Sequence, residues 1–281
     1  MVKHLFSEVN FTEALKKVVW ISLWVGVYSM FIYLVFEKYF SHSVKWLNYF
    51  QSVFGIVLGL LLVFRSNRAY ERWWEARTLW GQLVNACRNL SIKIDVLLMP
   101  TQTEAAVFAK RINQFCRALV IHLRQKSTSD DFKKLLNTND LPKHAPSYLA
   151  KQLYQALVMT PKASEGLNLW LLDRELSQLM DICGGCEKIK NTLISISYRV
   201  IVKHVIIIFI ILLPCSLVDN LGVWSIPATI LISYLIIAVE GIARNLEEPF
   251  GLTEDHLNLK AITEGIENSV NEILNAPQKS D

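Results

Sequence analysis

The chain has 281 residues, of which 52% are hydrophobic and 19% charged, with a mean hydropathy of +0.29 and a formal net charge of +4. Soluble domains average about 25% charged residues, so this composition excludes an ordinary water-soluble domain and points to a membrane protein. The weak positive charge, with no dense Lys/Arg block, argues against a nucleic-acid partner, and five scattered cysteines make no disulfide framework.

Residues 1–17 (MVKHLFSEVNFTEALKK) are too polar for a signal peptide and read as an interfacial helix over 3–17. Residues 18–36 carry no charge and match the roughly 20 residues that a helix needs to cross a bilayer. Trp20, Trp24, Tyr28, Tyr33 and Tyr39 supply aromatic anchors for it. A short link, 37–45, leads to a second span over 46–64, so the two helices form an antiparallel pair. Residues 65–199 hold no further span and read as a cytosolic helical region. Val107, Ile112, Phe115, Leu119 and Leu123 share a face within 104–126; Leu169, Leu172, Leu176, Leu179 and Ile182 do so within 165–190. Between them, 127–146 reads as a loop and 147–158 as a short amphipathic helix. Spans three and four fall over 200–218 and 222–239, with Pro214 and Pro227 inside them and a tight turn at Asp219-Asn220. Residues 240–281 return to water and end in an amphipathic helix over 256–275, with Leu259, Ile262, Ile266, Val270 and Ile273 inward.

The predicted fold is therefore all-α: a polytopic protein with segments 1–17, 18–64 (spans one and two), 65–199, 200–239 (spans three and four) and 240–281. Lys16, Lys17, Arg65, Arg68, Arg72, Arg199 and Arg244 flank the membrane on one side, against Lys38 and Lys45 on the other. This bias makes the large side, with both termini, cytoplasmic.

The second span carries the functional signal. Ile56, Leu60 and Phe64 stand at i, i+4 and i+8 on one stripe, which continues to Ser52 above and to Arg68 and Arg72 below. Beside it, Gly55 and Gly59 form a GxxxG pair suited to close helix packing. Two readings fit the stripe: a surface for lipid or the bundle core, or the wall of a pore. Below it, Arg68 with Glu71 and Arg72 with Glu75 stand at i, i+3 and are expected to be structural ion pairs. The Arg/Trp pattern runs to Trp80, about 24 Å beyond Phe64 at 1.5 Å per residue, too far for a headgroup belt.

Here the chain resembles the bestrophin family, particularly its bacterial branch. The resemblance rests on FRSNRAYERWWEARTLWGQLVN, CGGCEKIKNT, NLEEPFG and EDHLNLKAITEGIENSVNEIL, in that order and over nearly the whole chain. It implies a homopentameric ion channel of the bacterial inner membrane, its axial pore lined by the second helix of each subunit. Its partners would be further copies of itself, small inorganic ions and lipid. The family's neck positions fall on Ile56, Leu60 and Phe64, and its cytosolic aperture falls on Leu167; the polar Ser52, on the same stripe, would then stand at the pore mouth. Two departures stand out. The prolines that many relatives carry before the third span are missing from 191–198, and no acidic run follows Gly251, so no calcium site is carried over.

Rival readings are an alternating-access transporter, which inverted repeats would support, and a membrane-anchored assembly protein without a pore. An enzyme is disfavoured: the six histidines are scattered, and no nucleophile elbow or phosphate loop accompanies them. His204, beside Lys203 in the third span, is the one histidine that suggests sensing. Cys183-Gly-Gly-Cys186 has the spacing of half a zinc site or a redox motif, but lacks a second pair and reads as structural thiols. No cofactor and no metal are expected.

Overall fold

The computed structural model describes residues 13–39, 45–124, 132, 135, 142–252 and 256–274, and among these the regular structure is entirely helical. Most of the expected N-terminal interfacial helix and most of the loop over 127–146 lie outside the described residues. Contacts divide the chain into two units, residues 1–72 with 193–247 and residues 73–192 with 248–281.

The first unit holds α1 (Glu13–Tyr39), the first part of α2 (Lys45–Lys93), α6 (Ile196–Leu221) and α7 (Ser225–Glu247). Three stretches among the described residues are long and apolar enough to cross a membrane: 16–36, 46–98 and 196–247. The last comprises α6 and α7, with the 3-10 turn Gly222–Trp224 between them. The turn expected at Asp219-Asn220 is corrected here, because α6 runs through both residues to Leu221. The break falls on Gly222, whose φ of +51° is a conformation that glycine adopts without a Cβ penalty. α1 packs against α7 and α6, and α6 against α7. Leu58 and Leu62 of α2 join Val202, Ile206, Phe209 and Leu213 of α6 in the core of this unit. Pro214 has no N–H for the Ile210 carbonyl. Side chains crowd that rim: Gln51 Nε2 donates to Phe209 O at 3.1 Å and Tyr28 OH to Ile211 O at 3.2 Å.

The second unit holds the rest of α2, a π-turn (Ile94–Leu98), α3 (Gln102–Leu123), α4 (Ala145–Val158), α5 (Asn168–Asn191) and α8 (Leu259–Ile273). α3 packs on α4 and α8, and α4 on α5. Trp80, Leu83 and Leu90 of α2 meet Ile112 and Phe115 of α3, Leu179 of α5 and Ile266 of α8 in one core. α3 opens with a capping box: the Thr101 side chain accepts from Glu104 N while the Glu104 carboxylate accepts from Thr101 N at 2.8 Å. Val107 is corrected from the predicted apolar face: it is 46% exposed, and Phe108 occupies the core instead. The reason is rotational. Phe108, Ile112, Phe115 and Leu119 keep the 3–4 residue spacing that stays on one side, and Val107 stands about 100° away. α5 starts at Asn168 rather than 165, because Gly166 takes a φ of +55° after the 3-10 turn Pro161–Ser164. At the end of α8, Leu274 is buried while Ile273 is half-buried.

Candidate functional site

The membrane half of α2 has two unlike faces. Leu58, Leu62, Arg65 and Ala69 are buried inside the unit. Ile56, Leu60 and Phe64 are 66%, 54% and 61% exposed, so the stripe points away from the helices of its own unit. Ser52, at its upper end, is exposed and donates its hydroxyl to the Asn48 carbonyl at 2.8 Å. Gly55 lies where a Cβ would meet the Phe209 ring at 3.2 Å, whereas nothing stands within 4 Å of a Cβ at Gly59. α2 holds this face in line because no proline interrupts it between Lys45 and Lys93.

Just below the stripe, Arg65 turns inward and is buried. Its Nε stands 2.7 Å from Glu240 Oε2, and its Nη2 donates to Glu247 Oε2 at 3.5 Å. Both carboxylates lie on α7, seven residues apart, and so on the same face of that helix. Arg244 approaches Glu240 at 3.6 Å and Arg199 approaches Glu247 at 3.7 Å. Arg68 pairs with Glu71 at 2.9 Å on the exposed surface, at the predicted i, i+3 spacing. The bonds at the second predicted pair lead elsewhere: Arg72 Nε donates to the Glu247 carbonyl at 3.1 Å, and Glu75 takes Lys188 Nζ at 3.4 Å. Leu167 is 70% exposed at the N-terminal boundary of α5. Cys183 and Cys186 are buried on the same helix, and burial, with the Glu187 charge adding to it, raises each thiol to about 12. One turn of that pair makes a close approach, since a Cβ on Gly185 would stand 3.0 Å from the Leu79 side chain.

The family model for bacterial and fungal bestrophins matches residues 6–272. The chain belongs to this family. Among its relatives, a protein named as a voltage-dependent anion channel-forming protein of Ralstonia nicotianae is 31% identical over 247 residues, covering 82% of this chain and 78% of that one. A protein of the same description from Escherichia coli is 31% identical over 224 residues, covering 77% and 73%. The crystal structure of a bacterial bestrophin homologue from Klebsiella pneumoniae superimposes with a TM-score of 0.80. It shares 23% identity and covers 93% of this chain and 98% of that one, a likeness of fold.

Sequence reasoning passed over two groups. Glu240 reads as the first residue of a polar tail, yet it is 6% exposed and pairs with Arg65. The signal was its seven-residue spacing from Glu247 on an otherwise apolar helix. Gln51 is also buried, one residue before the stripe begins.

Proposed function

We propose that this bestrophin-family protein is an ion channel in which the Ile56, Leu60 and Phe64 stripes of several subunits surround one axial pore. The observation that carries the reading is the orientation of that stripe. Large apolar side chains face outward from the protomer on the same helix whose other face is packed and ion-paired. A helix exposed only to lipid has no need of the buried Arg65 cluster directly beneath its apolar end; a helix that must hold a fixed rotation does. Rings of aliphatic and aromatic side chains offer an ion no ligands, so a narrow ring empties of water and a slightly wider one conducts. The neck is accordingly a hydrophobic gate, with Ser52 at its mouth and Leu167 in a second ring. Family membership supports assembly as a pentamer and four spans with both termini in the cytoplasm of a bacterial cell; α6 and α7 serve as spans three and four. The conducted species are small monovalent ions, anions among them, in keeping with the names of the relatives. Because Arg68 is already paired with Glu71, the stripe itself carries little net charge toward the lumen.

The test is reconstitution into liposomes with a chloride gradient. Replacing Ile56, Leu60 and Phe64 together by Ala widens the neck and should raise ion flux; unchanged flux would remove these residues from the gate. Reversal potentials in a salt gradient give the ion sign, and cross-linking of the detergent-solubilised protein gives the subunit count.

A further inference from the structure

In the second unit three helices bring together side chains that are far apart in the chain. His122 lies in the last turn of α3, His144 is the N-cap of α4 and Glu187 sits on α5. The Nε2 atoms of His122 and His144 each stand 2.6 Å from the same carboxylate oxygen, Glu187 Oε1. The two imidazole rings meet edge to face, with centroids 4.8 Å apart and planes at 71°. One donor atom from each of the three residues lies within 4.8 Å of the other two. All three side chains are about three-quarters buried or a little less.

A carboxylate accepting two imidazole N–H bonds is a sound structural bridge in itself. The arrangement offers more than that, because both rings converge through Nε2 on one point and the His144 ring is anchored at its other nitrogen. His144 Nδ1 accepts from the Ser147 backbone N–H at 3.1 Å, which fixes the ring plane. The His122 carbonyl accepts from Lys190 Nζ at 2.6 Å, so α5 grips α3 one turn beyond Glu187. Two imidazoles and a carboxylate are the donor set that suits zinc and its transition-metal neighbours, and three protein ligands leave a coordination position for water.

We propose that His122, His144 and Glu187 form a binding site for a divalent transition-metal ion of the zinc type. With ligand distances of about 2.0–2.1 Å and tetrahedral angles, donor atoms stand about 3.4 Å apart. Loading therefore requires the Glu187 carboxylate to draw back by about 0.8 Å from each ring, and the two Nε2 atoms, which lie within 4.8 Å of each other, to close toward the same spacing by side-chain rotation. The ion takes the lone pair of each Nε2, and the proton on each Nε2 moves to Nδ1 of the same ring through water, so no net proton is released. At His144 this gives up the Ser147 bond: the ion is gained at the expense of one helix cap. The site would pin the end of α3, the start of α4 and the body of α5 to one another. Cys183, one turn from Glu187, stays out of the set as a buried thiol.

The experiment uses the full chain, purified in detergent with any polyhistidine tag removed and stripped with a chelator. Zinc chloride is titrated by calorimetry, and cobalt chloride is followed by visible absorption. The expected result is one ion per chain with micromolar or tighter affinity, and cobalt bands characteristic of four-coordination without a thiolate charge-transfer band. His122→Ala should abolish binding, and Glu187→Gln should weaken it about tenfold or more. His144→Asn is the control for folding, since Asn is a good helix N-cap; it should retain the wild-type oligomer and helix content yet lose the ion. Absence of binding to the wild-type chain, or binding that survives in the His122→Ala/His144→Asn double variant, would overturn the assignment.

Discussion

Removal of the Arg65 guanidinium should loosen the seat of α2 against α7. At an effective dielectric of about 20, contacts of 2.7 and 3.5 Å correspond to gross attractions of about 6 and 5 kcal/mol. Desolvation of three buried charged groups opposes most of this. Deleting one partner of a buried pair costs about 3–5 kcal/mol, because the charges left behind stay buried. Here the loss should lie near the lower end, about 3 kcal/mol, since Glu240 keeps Arg244 at 3.6 Å and Glu247 keeps Arg199 at 3.7 Å. For a chain of this size that corresponds to a thermal midpoint about 6–12 °C lower. Arg65→Met retains the length and packing of the stem and is the variant of choice. The assay is loss of helical circular dichroism on heating in detergent, with gel filtration before heating to confirm the oligomer. Arg65→Met/Glu240→Gln/Glu247→Gln should recover most of the loss, as neutral buried groups need no counter-charge. A midpoint for Arg65→Met within about 2 °C of the wild type would refute the reasoning. So would a triple variant no better than the single one.

Gly251→Ala should destabilise the second unit by about 1–3 kcal/mol, because a Cβ there would collide with the His256 ring; its midpoint should recover when His256 is also changed to Ala. Thr101→Ala should cost about 1 kcal/mol through loss of the α3 cap. The backbone hydrogen bond from Thr101, with that of its side chain, holds the Glu104 carboxyl below its ordinary value. A depressed carboxyl contributes stability that is fully present above its unfolded value and is lost as pH falls through the folded one. The difference in thermal midpoint between wild type and Glu104→Gln should therefore shrink on acidification below pH 4.5 and stay constant above it. With thiols raised to about 12, Cys183 and Cys186 should be about one ten-thousandth ionised at pH 8. Mass spectrometry should find them unlabelled by maleimide in the folded protein and labelled after unfolding; rapid labelling of the folded chain would contradict their burial.

The pattern of apolar residues made the helices legible because uncharged runs of spanning length mark the membrane helices and a 3–4 residue period marks the amphipathic ones. The stripe was legible because Ile56, Leu60 and Phe64 are spaced i, i+4 and i+8 on one helix, so no knowledge of partners was needed. The failures occur where a second element decides. Val107 and Phe108 are adjacent apolar residues, and only the position of the neighbouring helices selects Phe108 for the core. Asp219-Asn220 has turn chemistry, but the helix cap at Gly222 prevails two residues later. Arg72 and Glu75 have the spacing of a local pair, while a carbonyl on α7 and a lysine on α5 offer them other bonds. His122, His144 and Glu187 carry their meaning only through residues remote in sequence, and a single chain read in order cannot register such meetings.

The Arg65 cluster also bears on how the protein is made. Arg65 closes the second span, and its partner Glu247 follows 182 residues later. At about 5–20 residues per second of synthesis, roughly 10–35 s separate the emergence of the two. During that interval the guanidinium cannot be neutralised by its eventual partners and must remain hydrated at the membrane surface. The Arg65 contacts that seat α2 against α7 can therefore form only after Glu240 and Glu247 have been made.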